Sequence, residues 1–142
     1  MLLFFDFDGV LHPALDGREP NFCRLPLLEP VLRAAPSVSI VISSTWREAL
    51  TLDELREPFS AGIACRIAVT PLLEGALRHG EIMRYLKLHA THATEWVALD
   101  DAVVEFPRGC PYLLLCDPRT GLTDTVAREF ELRLMQMQST AF

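Results

Sequence analysis

The sequence has 142 residues and a mass of 16.0 kDa, which is the size of one domain. Half of its residues are hydrophobic and 23% are charged, so a sizeable core is available. This composition excludes a disordered tail, a collagen-like rod and a repeat array. The formal charge of −6 argues against a broad grip on nucleic acid or an anionic membrane, but not against a local phosphate pocket. We expect one compact soluble domain over residues 1–142.

The start of the chain and its cysteines both favour a cytoplasmic protein. The apolar run of residues 1–5 ends at Asp6. It is too short for a signal peptide or for a membrane span, which needs about 20 apolar residues. The four cysteines form no C-x-x-C pair, so we expect free thiols rather than disulfides or a structural zinc site.

The first part of the chain contains two short apolar runs separated by a proline-rich stretch. Residues 2–7 and 38–42 are typical of strands that are buried on both faces of a sheet. Residues 12–36 hold five of the ten prolines, which predicts mostly loop with one short helix near residues 27–35.

Capping signals follow the second strand. Thr45 with Glu48, and Thr51 with Glu54, have the spacing of a capping box and predict helices that start at Thr45 and near Thr51. Residues 63–69 then predict a third strand.

The second half of the chain continues the alternation of helices and strands. Periodic apolar residues predict helices over 78–89 and 123–138, and short buried strands are predicted over 96–99 and 112–115. Buried strands that alternate with helices indicate an α/β fold, in which a mostly parallel sheet carries helices on both faces as a Rossmann-like three-layer sandwich.

Polar side chains follow three of the predicted strands, and in a parallel sheet ligands bind beyond these strand ends. The residues concerned are Asp6, Asp8, Ser43, Ser44, Asp100 and Asp101. If these strands are neighbours, the four carboxylates meet in one crevice and need a cation, for which Mg²⁺ is the natural choice because it prefers oxygen ligands. The two serines lie between a strand end and a helix start, which is a ready anion site. The sequence therefore predicts a phosphate pocket with a metal.

Several nearby side chains are open to two interpretations. Arg47 lies in a first helical turn, where a cation is disfavoured, so it either contacts a phosphate or forms a surface salt bridge. His12 either touches substrate or packs the loop, and Trp46 either belongs to the core or stacks on a base. His89 and His92 form an H-x-x-H that we interpret as surface residues rather than metal ligands.

The strand-end residues also carry a family resemblance. The D-F-D-G-V of residues 6–10 resembles the first motif of the haloacid dehalogenase superfamily, Ser43 resembles the second, and the A-L-D-D of residues 98–101 resembles the acidic fourth. The third motif, a Lys or Arg at a helix start, is best matched by Arg78, with the mid-helix Lys87 as the alternative. All four motifs occur in order, which is a far more specific signal than D-x-D-G alone.

A narrower resemblance rests on longer strings. Four strings resemble the sequences of a small bacterial branch of the superfamily. They are D-G-V-L-H-P, S-S-T-W-R, an R-x-x-E-I over residues 78–82 and a late G-L-T. Domains of that branch also occur in proteins associated with RNA repair. The segments 11–26 and 63–75 are too short for a large cap domain, and capless members of the family tend to act on bulky substrates such as polymer ends or proteins.

The resemblance implies phosphoryl transfer through an aspartyl-phosphate. Asp6 would be the nucleophile and a Mg²⁺ ligand, and Asp8 the acid/base with its backbone carbonyl on the metal. Ser43, with Ser44 second to it, would hydrogen-bond the phosphoryl group, and Arg78 would neutralise its charge. Asp100 or Asp101 would complete the metal shell, with Asp101 preferred.

The substrate and the partners stay open at this point. A nucleic-acid end, a nucleotide, a sugar phosphate and a phosphoprotein are all compatible with the motifs, whereas a membrane partner is not expected. Nothing in the sequence predicts the oligomeric state. A receiver-like signalling domain or a phosphate-binding module without turnover is the alternative. A receiver carries its acidic pair on the first strand and its phosphoacceptor on the third, unlike this chain, and a simple binder has no need of Asp8.

Overall fold

The computed structural model describes residues 1–15, 17–89 and 95–140. The strands of this described part are β1 (Leu2–Phe5), β2 (Ser39–Ile42), β3 (Ile67–Val69), β4 (Trp96–Asp100) and β5 (Leu113–Leu115). Its α-helices are α1 (Leu25–Ala34), α2 (Leu52–Arg56), α3 (Ala61–Ala64), α4 (Arg78–His89) and α5 (Asp124–Thr140). Single 3₁₀ turns cover Thr45–Glu48 and Val103–Glu105.

The five strands form one sheet in the order β3-β2-β1-β4-β5, and every pair of neighbours is parallel. The register places Phe5, the last residue of β1, opposite Ile42 of β2 and Leu99 of β4. The residues that follow these positions therefore lie at the same edge of the sheet. The predicted parallel α/β fold is confirmed.

The two faces of the sheet are covered by different helices, because successive residues of a strand point to opposite faces. On one face, Leu3 and Phe5 belong to the larger core, with apolar residues of α1, α2, α3 and α5. On the other face, Leu2 and Phe4 pack with Ile82 of α4. The structure thus has the three layers that the sequence predicts, and no cap domain is evident in the part of the chain that it describes.

Three local predictions differ from the structure. The first strand ends at Phe5 rather than Phe7, since the chain turns there toward Gly9, whose φ is +76°. The predicted strand over 63–69 is wrong in its first half, because residues 61–64 form a short helix that buries Ile63 in the larger core.

The predicted helix does begin at Thr45, but as a 3₁₀ turn and without Thr45 as its N-cap. Ser44 is the N-cap, its hydroxyl accepts a hydrogen bond from the Trp46 amide at 3.2 Å, and only one 3₁₀ turn follows. The capping box at Thr51 is confirmed, because the Thr51 hydroxyl accepts from the Glu54 amide and the Glu54 carboxylate accepts from the Thr51 amide.

The described helices include none that is both long and apolar enough to cross a membrane. The four cysteines are free thiols. His89 lies at the exposed end of α4 and stacks on Tyr85, with ring centroids 4.1 Å apart. His92, its predicted companion in the H-x-x-H, lies outside the described residues.

Candidate active site at the carboxyl edge of the sheet

Three neighbouring strands deliver a buried polar side chain to the same edge of the sheet. Asp6 follows β1, Ser43 follows β2 and Asp100 ends β4, and all three are buried. Backbone hydrogen bonds continue the ladders past the strands, since the Asp6 amide donates to the Leu99 carbonyl at 3.1 Å and the Ser43 amide to the Phe5 carbonyl at 3.0 Å. The sheet register therefore brings together groups that are far apart in sequence.

Asp6, Asp100 and Asp101 form a cluster in which one carboxylate oxygen from each residue lies within 4.8 Å of the others. Burial raises the pKa of each of the three carboxyls above the usual range for aspartate. The pKa of Asp100 rises to about 6. The negative charge of Asp6 raises the pKa of Asp100 and Asp101 further. Burial and the closeness of the carboxylates therefore both disfavour full ionisation of this cluster.

Arg78, the first residue of α4, lies between two of these carboxylates. One terminal nitrogen of its guanidinium is 2.9 Å from Asp6 Oδ2 and 2.9 and 2.8 Å from the two oxygens of Asp100. Burial alone would lower the pKa of Arg78, but Asp100 and Asp6 raise it above its ordinary value, so the side chain stays cationic. The Glu105 carboxylate accepts from the Arg78 amide at 2.8 Å and fixes this helix start. We call Arg78, Asp6 and Asp100 the Arg78 network.

The donor set at this edge fits a divalent cation such as Mg²⁺. The three clustered side chains offer only carboxylate oxygens, which are the ligands that Mg²⁺ prefers. Arg78 contributes one positive charge against three acidic groups, whose pKa values are raised mainly by burial and in smaller part by the neighbouring carboxylates. A cation would supply the missing charge.

Gly9 allows Asp101 to lie against the loop that follows β1. The backbone of Gly9 has a φ of +76°, a conformation that disfavours residues with a side chain. A Cβ atom at this position would be 2.2 Å from Asp101 Oδ2. The glycine of the D-x-D-G motif is therefore required both by the turn and by the close approach of Asp101.

Asp8 has different surroundings, although it is only two residues from Asp6. Its side chain is 48% exposed. The His12 ring nitrogen Nε2 lies 2.7 Å from Asp8 Oδ1, and the Trp46 indole N–H donates to Asp8 Oδ2 at 2.9 Å. Both carboxylate oxygens thus have a nitrogen partner, and neither partner is an arginine or a lysine. We call Asp8, His12 and Trp46 the Asp8 clamp.

The two serines of the predicted anion site differ in their contacts. The Ser43 hydroxyl is buried and has no hydrogen-bond partner among the described residues, which is uncommon for a buried polar atom. The Ser44 hydroxyl caps the Thr45–Glu48 turn, and its hydrogen bond to Asp6 lowers the pKa of that carboxyl, opposing the effect of burial. Ser43 therefore has the unused hydroxyl that a phosphoryl oxygen would satisfy.

Arg47 is not on the surface, and most of its donors already have partners. Its guanidinium donates to the carbonyls of Ser43 at 3.0 Å, Ser44 at 2.7 Å and Thr70 at 3.3 Å, and it pairs with Glu81. Its side chain is buried, so the ion pair that it forms is a buried one rather than the surface salt bridge of the sequence-based interpretation. These contacts fix the segment that carries the serines, and a direct contact of Arg47 with phosphate stays a prediction.

The structure places one of the two candidates for the third motif beside Asp6, and it adds partners that the sequence does not reveal. Arg78 reaches Asp6, whereas Lys87 is exposed on α4. The ion pair of Glu81 with Arg47 and the hydrogen bond of Glu105 to Arg78 are not among the sequence-based predictions. The position of Glu81 on the buried face of α4 is the feature of the sequence that could have indicated a buried ion-pair partner.

An open cleft of about 640 Å³ lies beside Arg78. Its volume is within the range of small-molecule sites. The lining residues are Thr45, Arg47, Glu48, Leu72, Leu73, Glu74, Gly75, Ala76, Arg78, Glu81 and Glu105. A substrate on this edge of the sheet therefore has room for more than its phosphoryl group.

This arrangement is that of a domain of the haloacid dehalogenase type. Acidic residues lie at the ends of the first and fourth strands, a buried serine follows the second strand, and a basic residue begins a helix beside them. Residues 2–127 match the family described as the HAD domain in Swiss Army Knife RNA repair proteins, and the chain belongs to that family. The resemblance drawn from the motifs is thereby confirmed. Comparisons with curated proteins and with solved structures gave no significant match. Membership of the family indicates chemistry of the phosphohydrolase type.

Proposed function

We propose that this protein is a Mg²⁺-dependent phosphatase that hydrolyses a phosphomonoester through an aspartyl-phosphate on Asp6. The observation that carries the proposal is the surroundings of the Asp6 carboxylate. Arg78 contacts one of its oxygens, Asp100 and Asp101 cluster with it, and the unpartnered hydroxyl of Ser43 is buried at the next strand end. Negative charge, a fixed cation and a free donor together suit a phosphoryl group.

The first chemical step forms the covalent intermediate. An oxygen of Asp6 attacks phosphorus, and the bond from phosphorus to the leaving oxygen breaks with its electron pair. Asp8 transfers its proton to that leaving oxygen. The hydroxyl of Ser43 donates to a phosphoryl oxygen, and Arg78 stabilises the charge on the transferred group.

The second step releases phosphate. Asp8, now a carboxylate, takes one proton from a water molecule whose oxygen attacks phosphorus, and Asp6 leaves as a free carboxylate. Asp6, Asp100, Asp101 and the backbone carbonyl of Asp8 would hold Mg²⁺, which when bound neutralises charge on the phosphoryl oxygens. Ser44 and Arg47 keep the phosphate-binding segment in place through the contacts given above.

The open edge of the sheet supports a bulky substrate, and a nucleic-acid end or a nucleotide is the class we favour. The family description names RNA repair proteins, and the cleft beside Arg78 has the size of a small-molecule site. Glu48, Glu74 and Glu105 also line that cleft, and they would repel a second phosphate placed there. A terminal phosphate on a sugar therefore suits the site better than a phosphodiester lying along it. We propose the cytoplasm as its compartment, since the cysteines are free thiols.

The deciding experiment measures release of p-nitrophenol from p-nitrophenyl phosphate with and without Mg²⁺. We expect Mg²⁺-dependent turnover by the wild type, and a loss of about 10³-fold or more in Asp6→Asn because the nucleophile is gone. Asp53→Asn is the matched control, since this carboxylate is 97% exposed on α2. Equal turnover by Asp6→Asn would remove Asp6 as nucleophile. No turnover by the wild type, with this ester or with end-phosphorylated oligonucleotides, would favour a phosphate-binding module.

A further inference from the structure

The Asp8 carboxylate is immobilised although nearly half of its side chain faces solvent. An exposed carboxylate ordinarily rotates about its terminal bond, because water satisfies its oxygens in any orientation. Here Oδ1 is 2.7 Å from His12 Nε2 and Oδ2 is 2.9 Å from the Trp46 indole nitrogen, with one partner for each oxygen. Rotation of the carboxylate would break both contacts.

The position of the proton on His12 follows from the opposite side of its ring. The Phe22 backbone amide donates to His12 Nδ1 at 3.2 Å, so Nδ1 is an acceptor and carries no proton. The proton of the neutral ring is then on Nε2, and it is donated to Asp8. His12 is buried, with only 5% of its side chain exposed, and its ring packs against those of Phe22 and Trp46 at centroid distances of 5.6 Å.

The Phe22 amide that fixes this tautomer belongs to a strained residue. Phe22 has a φ of +64°, and it is the one residue other than glycine with a positive φ in the described part of the chain. Such a conformation costs a bulky residue on the order of 1 kcal/mol or more. The ring of Phe22 is held by edge-on contacts with Phe7 at 5.4 Å and Trp46 at 5.5 Å. The fold thus stabilises a costly backbone conformation of Phe22, whose N–H donates to the His12 ring of the Asp8 clamp.

We propose that His12 and Trp46 are positioning residues that fix the orientation of the Asp8 carboxyl group for proton transfer, an inference that rests on the proposed phosphatase function. Each carboxyl oxygen has two lone pairs, and the clamp occupies one on each. The proton that Asp8 gives to the leaving oxygen, and later takes from water, must then use the remaining lone pairs, whose directions are fixed. Neither residue needs to touch the substrate.

The test uses the dependence of the rate on the leaving group. An aryl phosphate releases a weakly basic oxygen that needs little protonation, whereas an alkyl phosphate depends on the acid. In Trp46→Phe the ring stays but the donor is lost, so we expect kcat/KM to fall by about 10-fold or more for the alkyl ester and by no more than about 3-fold for the aryl ester. Trp96→Phe is the matched control, since Trp96 packs on Phe4 in the smaller core on the other face of the sheet. Equal losses for both esters would overturn the proposal, because a merely structural defect does not distinguish leaving groups.

His12 offers a second, independent pair of variants. His12→Gln keeps an N–H donor near the place of Nε2, whereas His12→Leu removes it. We expect the glutamine variant to restore most of the alkyl-ester activity that the leucine variant loses. Equal alkyl-ester losses in the two variants, with both folded, would contradict a positioning role for His12.

A measurement without substrate separates this inference from the proposed function. The ¹⁵N chemical shifts of the His12 ring report which nitrogen carries the proton, and we expect the neutral ring to be protonated at Nε2 and its Nε2–H resonance to shift in Asp8→Ala. Protonation at Nδ1 would overturn the clamp even in an active enzyme. A correctly clamped wild type that turns over no phosphomonoester would refute the phosphatase function, and with it the role of the clamp in proton transfer.

Discussion

The Arg78 network and the Asp8 clamp hold two aspartates of the same short motif in opposite ways. Asp6 is buried and shares a guanidinium with Asp100, so full charges determine its position. Asp8 is half-exposed, and a histidine and an indole hold it. Pairs of carboxyls whose surroundings differ in this way are typical of sites in which one group attacks and the other moves protons. Asp6 and Asp8 are the same residue type, so in the proposed mechanism their different surroundings would give them different roles.

The two regions should also differ in what happens when they are disturbed. Removing a charge from the Arg78 network leaves another charge buried without compensation, which is expensive for the fold. Removing a donor from the Asp8 clamp leaves an oxygen that water can reach, which costs the fold little but loosens the group that we propose transfers protons. Variants of the Arg78 network should therefore change the free energy of unfolding. Variants of the Asp8 clamp should instead change how the rate depends on the leaving group.

The largest expected effect comes from breaking the network at its cation. Arg78→Met keeps much of the side-chain length but leaves Asp6 and Asp100 without their partner, so we expect the free energy of unfolding to fall by about 3–5 kcal/mol in urea denaturation. Arg119→Met is the control, since Arg119 forms an exposed pair with Asp117 and its loss should cost the fold little. Similar losses in the two variants would show that the network is not a buried ion pair in solution.

A smaller effect should appear as a pH dependence of the metal-free protein. Burial raises the pKa of Asp100 to about 6, above its ordinary value of 3.8. Because the folded state holds this proton more tightly than the unfolded state, the stabilising contribution is complete below pH 4 and is lost as the pH rises through 6. We expect the free energy of unfolding to fall by up to about 3 kcal/mol over this interval.

The Asp100→Asn variant isolates that contribution. Asparagine does not titrate, so urea denaturation in the presence of a chelator should give a shallower pH dependence between pH 4 and 6 than the wild type shows. The raised pKa values of Asp6 and Asp101 give the remaining dependence the same sign. Parallel curves for the two proteins would mean that Asp100 titrates near its ordinary pKa.

The smallest effect on stability, but a selective one on the metal, should come from Gly9→Ala. The new methyl group would clash with Asp101 Oδ2, and both Gly9 and the control position Gly109 have positive φ angles. A Cβ atom at Gly109 would meet no atom within 4 Å, so Gly109→Ala carries only the backbone cost, about 1 kcal/mol. We expect Gly109→Ala to lose roughly this stability and Gly9→Ala to lose more, because Asp101 must shift as well. We expect only Gly9→Ala to lose Mg²⁺ affinity in calorimetric titration. Unchanged affinity in Gly9→Ala would argue against Asp101 as a ligand.

The parts of the site that depend on strand ends could be predicted from the sequence. Asp6, Ser43 and Asp100 could be grouped because parallel strands present their carboxyl ends at one edge, and the observed register places them there. The buried pair of Arg47 with Glu81 could not be predicted, since tertiary packing alone brings these residues together. The same limit applies to His12, whose contact with Asp8 arises from a non-helical turn rather than from a repeating spacing.

Two predictions of secondary structure from short sequence patterns were wrong in part. The capping-box spacing of Thr45 and Glu48 is present, but Ser44 is the N-cap and its hydroxyl accepts from the Trp46 amide. Residues 63–69 are apolar except for Arg66, yet Ile63 is buried from a short helix rather than from the sheet. Short apolar runs do not by themselves separate strands from buried helical turns.

The central position of β1 in the sheet affects the order in which the chain can fold during synthesis. β1 precedes the other strands in the sequence, but one of its two neighbours is β4, which begins only at Trp96. Closing so long a loop is entropically costly and makes this pairing a slow, non-local event. A nascent chain emerging from the ribosome therefore presents Asp6 and Asp8 early, yet it has no Asp100 to set beside them. The proposed catalytic site is therefore complete only once β4 has been made, and a chain that ends before β4 would leave β1 with an open sheet edge.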